Sequence, residues 1–322
     1  MDTLSLILDE MRMQGAVFTY VRLSAPWALR MSSPGLASFH IMTSGQAWLV
    51  RDGHAPVCMQ QGDVLILPSG EPHLIQDQPR GPVAHAIDLL DEIARRPGEE
   101  LDIGGGGEAA TLVSGHSRYD VIMGAPLIAA LPPLLHIRSQ GALPPLWLAI
   151  GLQFLEQEIR SRRPAQQAVV NRLGDIVLIQ CVRDYLEALP EGSGNWLAAL
   201  RDKALSAALG QLHRQPERSW SVSELAEIAH LSRSAFADRF TQALGMPPLA
   251  YLTQHRMRLA ARQLAGSSQP IGLIAESVGY NSKTAFSQAF RREYGRSPSE
   301  FREAHQPESS ELEPRMPAAL DE

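Results

Sequence analysis

Residues 274–302 read IAESVGYNSKTAFSQAFRREYGRSPSEFR, and this stretch decides the fold of the C-terminal third. With Pro270 just upstream, acceptable in a first helical turn where its missing N–H would be unpaired anyway, Ile271, Ile274, Ala275 and Val278 form an apolar stripe at helical spacing. Gly279 stands where a tight turn would crowd a Cβ, and Asn281 or Ser282 caps a second helix. In that helix Phe286, Phe290 and Tyr294 recur every four residues on one face, and Gly295 ends it. Ser297-Pro-Ser-Glu300 is a capping box that opens a short closing helix through Phe301. The pattern predicts helix, turn, helix.

The same unit occurs fifty residues earlier. Ser232 matches Ser282, Phe236 matches Phe286, Phe240 matches Phe290, Gly245 matches Gly295 and Pro248 matches Pro298. Ser221-Val-Ser-Glu224 is again a capping box, and Leu225, Ile228 and Ala229 supply the stripe before a turn at His230-Leu231. Between the copies, Leu249 to about Ala265 reads as one helix, about 25 Å long at 1.5 Å per residue. A rod of that length spaces two helix-turn-helix units near one turn of DNA, about 34 Å.

The second helix of such a unit enters the major groove. Facing away from the Phe stripes, the first copy offers Arg233, Ser234, Ala237, Asp238 and Thr241, and the second Lys283, Thr284, Ser287, Gln288, Arg291 and Arg292, with Asn281 at its turn. Gln pairs with adenine, and Arg or Lys with guanine or phosphate, which makes the second copy the better reader. Asp238 either accepts from a cytosine N4 or repels phosphate. A single helical hairpin with a Phe stripe would be an ordinary core; two copies in register with matching caps and glycines are not.

Residues from about 203 to 304 resemble the DNA-binding domain of AraC-type transcriptional regulators. The resemblance implies two helix-turn-helix units joined by one long helix, with base-reading positions at Ser234, Ala237 and Asp238 and at Thr284 and Gln288.

Charge agrees once it is divided along the chain. The net −6 of 322 residues argues at first against nucleic acid. Residues 1–200 hold 14 Arg and 21 acids (−7), residues 201–306 hold 14 basic and 9 acidic residues (+5), and 307–322 is an acidic tail (−4) read as disordered. The basic excess lies where the readers are, though +5 over about a hundred residues is modest.

The front of the chain is different in kind. Phe18–Leu23, Ala47–Val50 and Val64–Leu67 are short apolar or alternating runs between Gly, Pro and Asp-Gly turns, which predicts an all-β barrel or sandwich. Gly62, Pro68, Gly70 and His73 have the spacing of a second cupin motif, while Phe39-His40 through Gly45 to Trp48 resembles a degraded first one. Residues 1–120 therefore resemble the cupin-type sensor domain of a subgroup of AraC-type regulators. Cupin enzymes bind metal through a His-x-His pair, a Glu and a later His. Here Met42 replaces the second His and the Glu is missing, so His40 and His73 are the metal candidates, with His85 or His116 as third ligands. The same residues with Trp48 are the effector-binding candidates, and no cofactor other than this metal is expected.

Residues 99–108 (EELDIGGGGE) read as a flexible loop, and from Leu127 onward the composition is helical. Two amphipathic helices split by Arg162-Arg-Pro164 form a connector over 121–195 with a dimerisation face, and Glu191–Asn195 is the expected hinge before the reader at 203–304.

The expected fold class is thus α+β multidomain: cupin-like β-barrel, helical connector, all-α double helix-turn-helix domain. No apolar run reaches the roughly 18–20 residues of a membrane span, and no secretory signal pattern is present. Cys58 and Cys181 cannot make a disulfide framework, which agrees with a reducing cytoplasm. No nucleophile–base or carboxylate pair marks an enzyme. The expectation is a cytoplasmic, effector-responsive transcriptional regulator, a homodimer with double-stranded DNA as partner and RNA polymerase if it activates. A metal-dependent cupin enzyme fused to a DNA-binding domain is the alternative.

Overall fold

The computed structural model describes residues 2–12, 16–80, 86–96, 99–139, 146–161, 163–190 and 196–305. The chain divides between Arg201 and Asp202 into two compact units. The expected hinge at 191–195, the acidic tail and His85 lie outside the described residues.

The first unit runs α1 (Thr3–Met11), β1 (Ala16–Ser24), β2 (Ala28–Met31), β3 (Leu36–Ser44), β4 (Gln46–Val50), β5 (Val57–Gln60), β6 (Val64–Leu67), β7 (His73–Gln76) and β8 (Ile87–Asp88). It continues through α2 (Leu89–Arg95), β9 (Leu101–Gly104), β10 (Ala109–Arg118), α3 (Val121–Ala130), β11 (Leu135–Ile137), α4 (Leu146–Ser161), α5 (Gln166–Ala188) and α6 (Ala198–Arg201). The strands make two sheets, ordered β11-β6-β3-β10-β1-β9 and β5-β4-β7-β2-β8. The expected barrel takes the form of two facing sheets, not one closed ring.

Alternation explains how the sheets are covered. One apolar core joins Val21, Met42, Leu65 and Leu112 of the first sheet to Leu29, Met31, Leu49 and Ile75 of the second. A separate core joins Phe18, Phe39, Ile41, Ile66 and Val113, the intervening residues of the first sheet, to Leu148, Leu155, Val177, Leu178 and Val182 of α4 and α5. The first sheet is therefore buried on both faces, which is why β3 carries an almost unbroken run of buried side chains.

Two expectations need correction. Residues 99–108 are not a plain loop: β9 pairs in parallel with β1, Val21 to Leu101 through Ser24 to Gly104. The segment after Leu127 is not wholly helical, because β11 pairs antiparallel with β6. Asp63 fixes that pairing by accepting from the Ser139 amide at 2.9 Å and meeting His136 Nε2 at 3.0 Å.

The second unit is all helix: α7 (Lys203–Arg214), α8 (Val222–Ile228), α9 (Arg233–Leu244), α10 (Pro248–Gly266), α11 (Ile271–Ser277), α12 (Lys283–Tyr294) and α13 (Pro298–His305). The capping box at Ser221 and Glu224 is formed in both directions. Phe236, Phe240, Phe286 and Phe290 are fully buried, each contributing about 3–5 kcal/mol by the usual cost of truncation to Ala. α10 spans 19 residues, about 28 Å, and its buried face carries Tyr251, Leu252, Met257, Ala261 and Leu264. Among the described residues no helix is long and apolar enough to cross a membrane.

Candidate nucleic-acid interface

The two recognition helices start in the same way. Ser232 accepts from the Ala235 amide and Ser282 from the Ala285 amide, each at 3.3 Å. Gly245 and Gly295 end them at φ +74° and +70°. The turns differ by one residue. Leu231 N donates to Ala226 O in the first unit and Tyr280 N to Ala275 O in the second, each at 2.9 Å. The helices before the turn are therefore related by forty-nine residues and those after it by fifty, with Asn281 the extra residue. Gly279 takes φ +85°, and a Cβ there would lie 2.3 Å from the Glu217 carbonyl oxygen. His230 takes φ +53° at the same place in the first unit.

Arg233, Ser234, Asp238, Asn281, Lys283, Thr284, Gln288, Arg291 and Arg292 are all exposed, while Ala237 and Ser287 are half-buried at the flank. With 100° per residue and the Phe pairs pointing inward, the outermost positions are Ser234, Asp238, Thr241 and Gln242 on α9 and Thr284, Gln288, Arg291 and Arg292 on α12. Arg233 and Lys283 are exposed because they open their helices, not because they face outward at mid-helix.

Many of the cations in this unit are occupied elsewhere. Arg239 is bound to Asp202 at 2.6 Å, and Arg218 to Glu224 at 2.8 Å while lying over the Trp220 ring. Arg256 donates to the carbonyls of Pro216 and Arg218, and Arg302 to that of Gln269. Burial lowers the pKa of Arg256, and His255 is held well below the usual imidazole range by burial and then by His213 and nearby arginines. Arg233, Lys283, Arg291 and Arg292 carry no hydrogen bond or ion pair among the described residues. On the two recognition helices they are the cations left to meet phosphate or base.

In the first unit, His40 and His73 are brought together. Their Nε2 atoms are 2.8 Å apart in the space between the sheets. His73 Nδ1 lies 2.7 Å from the Glu71 carbonyl oxygen, an acceptor, so Nδ1 carries the proton and Nε2 presents a lone pair. His40 Nε2 then donates to it, which leaves His40 Nδ1 to accept from the Ser114 hydroxyl at 2.6 Å. Every imidazole nitrogen of the pair is used, and both rings are neutral. Burial, then the neighbouring His73, holds His40 well below its usual range; burial lowers His73 as well.

This pair does not fit the metal of cupin enzymes. The two nitrogens that would bind an ion face each other, and among the described residues no third His, Cys, Asp or Glu closes a ligand set around them. His116, on the same face of β10 as Ser114, is not hydrogen-bonded to the pair. Trp48 alternates with the inward Ala47 and Leu49 on β4, so the structure does not join it to the histidines. Cys181 is buried and Cys58 half-buried, and burial raises both thiols.

Comparison with known proteins gives the same two parts. A family model described as Cupin matches residues 2–187, and one described as Helix-turn-helix domain matches 225–304. The HTH-type transcriptional regulator AlkR of Acinetobacter baylyi is 33% identical over 94% of this chain and 99% of its own. A Streptomyces lividans protein described as an AraC-like transcription regulator is 31% identical over 94% of this chain and 98% of its own. The chain is an AraC-family transcriptional regulator with an N-terminal cupin domain. Among solved structures, the DNA-binding domain of AdpA in complex with a target DNA is 32% identical over 31% of this chain and 90% of that one, with a TM-score of 0.30.

In this AraC-family regulator, sequence reasoning missed Gln242, the outward counterpart of Arg292 on α9. A fifty-residue offset applied one position further would have found it. It also could not tell which arginines are spent inside the fold, because their partners are carbonyls and carboxylates distant in sequence. The enzyme alternative is not supported: the matching full-length relatives are transcriptional regulators.

Proposed function

We propose that this regulator is a cytoplasmic, non-enzymatic protein that reads double-stranded DNA with both recognition helices, the larger share of base choice lying on α12. The observation that carries this is the exposed ladder of Thr284, Gln288, Arg291 and Arg292, whose side chains make no hydrogen bond among the described residues, on a helix capped at both ends and locked by Phe286 and Phe290. Side chains so placed reach base edges without first breaking internal bonds. Arg233, Ser234, Asp238, Asn281 and Lys283 complete the proposed interface.

The cupin unit serves as the sensor in this reading. A cavity of about 90 Å³ lined by Trp27, Gln46, Asp77 and Glu108 lies at the far end of β7 from His73, and supports entry of a small effector. Leu146, Ile150 and Phe154 recur every four residues along α4 and are 76%, 58% and 47% exposed, which supports a homodimer through this helix. RNA polymerase is a further partner if the regulator activates.

Selection of bound sequences from a random DNA library tests the reading. Gln288→Ala and Thr284→Ala should change base preference within one half-site. Arg292→Ala should instead weaken binding to all sequences and reduce the salt slope by about 0.9. Unchanged preference in both α12 variants overturns the assignment.

A further inference from the structure

The first reader is not simply a weaker copy of the second: at its centre it carries an acid where the second carries a neutral amide. We propose that Asp238 is a specificity residue that selects cytosine, through its N4 amino group, in the half-site read by α9. This rests on the reading of α9 as a recognition helix.

Asp238 is the fifty-residue counterpart of Gln288, one turn into a helix capped identically by Ser232. It is exposed and has no ion pair among the described residues. Arg239, the cation beside it, is turned away to Asp202 at 2.6 Å and does not neutralise it. An ionised carboxylate is acceptor-only. Its nearest neighbours on that face, Ala237 and Thr241, do not supply a donor; the donors of Ser234 and Gln242 lie one turn away on either side. Thr241, on the next outward position, commits its hydroxyl proton to the Ala237 carbonyl at 2.7 Å, leaving a lone pair and a methyl group. Ala237 adds only a methyl. Between Ser234 and Gln242, α9 therefore presents acceptors and apolar groups, whereas the matching turn of α12 presents Gln288 and Arg291.

Only cytosine N4 and adenine N6 offer donors in the major groove. The adenine donor sits between two acceptors, its own N7 and thymine O4, both repelling a carboxylate. The cytosine donor has an acceptor on one side only, guanine O6, and a C5–H on the other. The carboxylate therefore favours cytosine. Elsewhere along the groove its charge works against phosphate and lowers affinity for mismatched DNA, so the residue acts by attraction to one base and by repulsion from the rest.

Library selection with the full-length protein tests this. The wild type should prefer cytosine at one position of the α9 half-site by about tenfold. Asp238→Asn, nearly isosteric but able to donate and accept, should move that preference to adenine. Asp238→Ala should flatten it while raising affinity for non-specific DNA. Gln288→Ala serves as the control, changing a different position. If Gln288→Ala alters the selected sequence and Asp238→Asn does not, the role of Asp238 is overturned and the general reading survives. If no variant alters it, the reading of both helices as base readers fails. A wild-type preference for guanine, thymine or adenine at the Asp238 position also overturns the proposal; retained selection in the α12 half-site shows that each variant is folded.

Discussion

Lowering the pH should unfold the cupin unit by loading protons that its buried histidine pair refuses. His40 and His73 share one hydrogen bond with a single proton between their Nε2 atoms, and their Nδ1 atoms are already committed to Ser114 and Glu71. A further proton would place two N–H groups face to face in an enclosed space. Both folded-state pKa values are depressed, so the unfolded chain binds protons that the native one does not. Stability is then complete above about pH 6.5, the unfolded value, and is lost as pH falls from there toward the folded values. Between about pH 7.5 and 5.5 each unfolded imidazole gains about 1.4 kcal/mol from protonation, so the pair removes about 2.7 kcal/mol of stability if it stays neutral throughout. His116 and His255 shift in the same direction and add to the total, so the pair must be isolated by difference. The assay is urea unfolding of the full chain against pH, followed by tryptophan fluorescence. Of the five tryptophans, Trp27, Trp48, Trp147 and Trp196 lie in the first unit and only Trp220 in the second. A double variant, His40→Gln with His73→Gln, should be less stable at pH 7.5 and should lose less than wild type on acidification, by up to about 2.7 kcal/mol. Parallel pH profiles for the two proteins would refute the reasoning, because the pair would then be protonated in the folded state as readily as in the unfolded one.

Gly279→Ala should destabilise the second helix-turn-helix unit well beyond the matched Gly295→Ala. Both positions have positive φ, at about 1–2 kcal/mol for an L side chain, but only at Gly279 does the added Cβ meet a backbone oxygen. Equal losses in urea unfolding followed by far-UV circular dichroism would show that the contact with Glu217 does not constrain the turn. Ile150→Glu, in the middle of the exposed ladder on α4, should shift sedimentation from dimer to monomer while leaving the fold intact. A dimer unaffected by the charge would place the interface elsewhere.

The parts legible in the sequence are those governed by local physics. Helix stripes, capping boxes and terminating glycines act over three or four residues, so the repeat at 232–251 and 282–301 could be located with its caps and its buried Phe pairs. The tertiary structure decided whatever depends on partners far along the chain. The glycine-rich segment at 99–108 carries a strand because β1 offers it an open edge, and parallel pairing leaves no short-range signature. His40 and His73 were visible as candidates, but that their lone pair and proton satisfy each other follows only from bringing β3 and β7 onto facing sheets. The charge count located the basic unit and overstated what it can use: Arg218, Arg239, Arg256 and Arg302 are bound to internal acceptors, and the unbonded cations of the two recognition helices lie mostly on α12. Sequence alone located the two helices that we propose read DNA. Folding decided what each can offer, because an arginine or a threonine hydroxyl already bonded inside the protein has fewer donors left for a base.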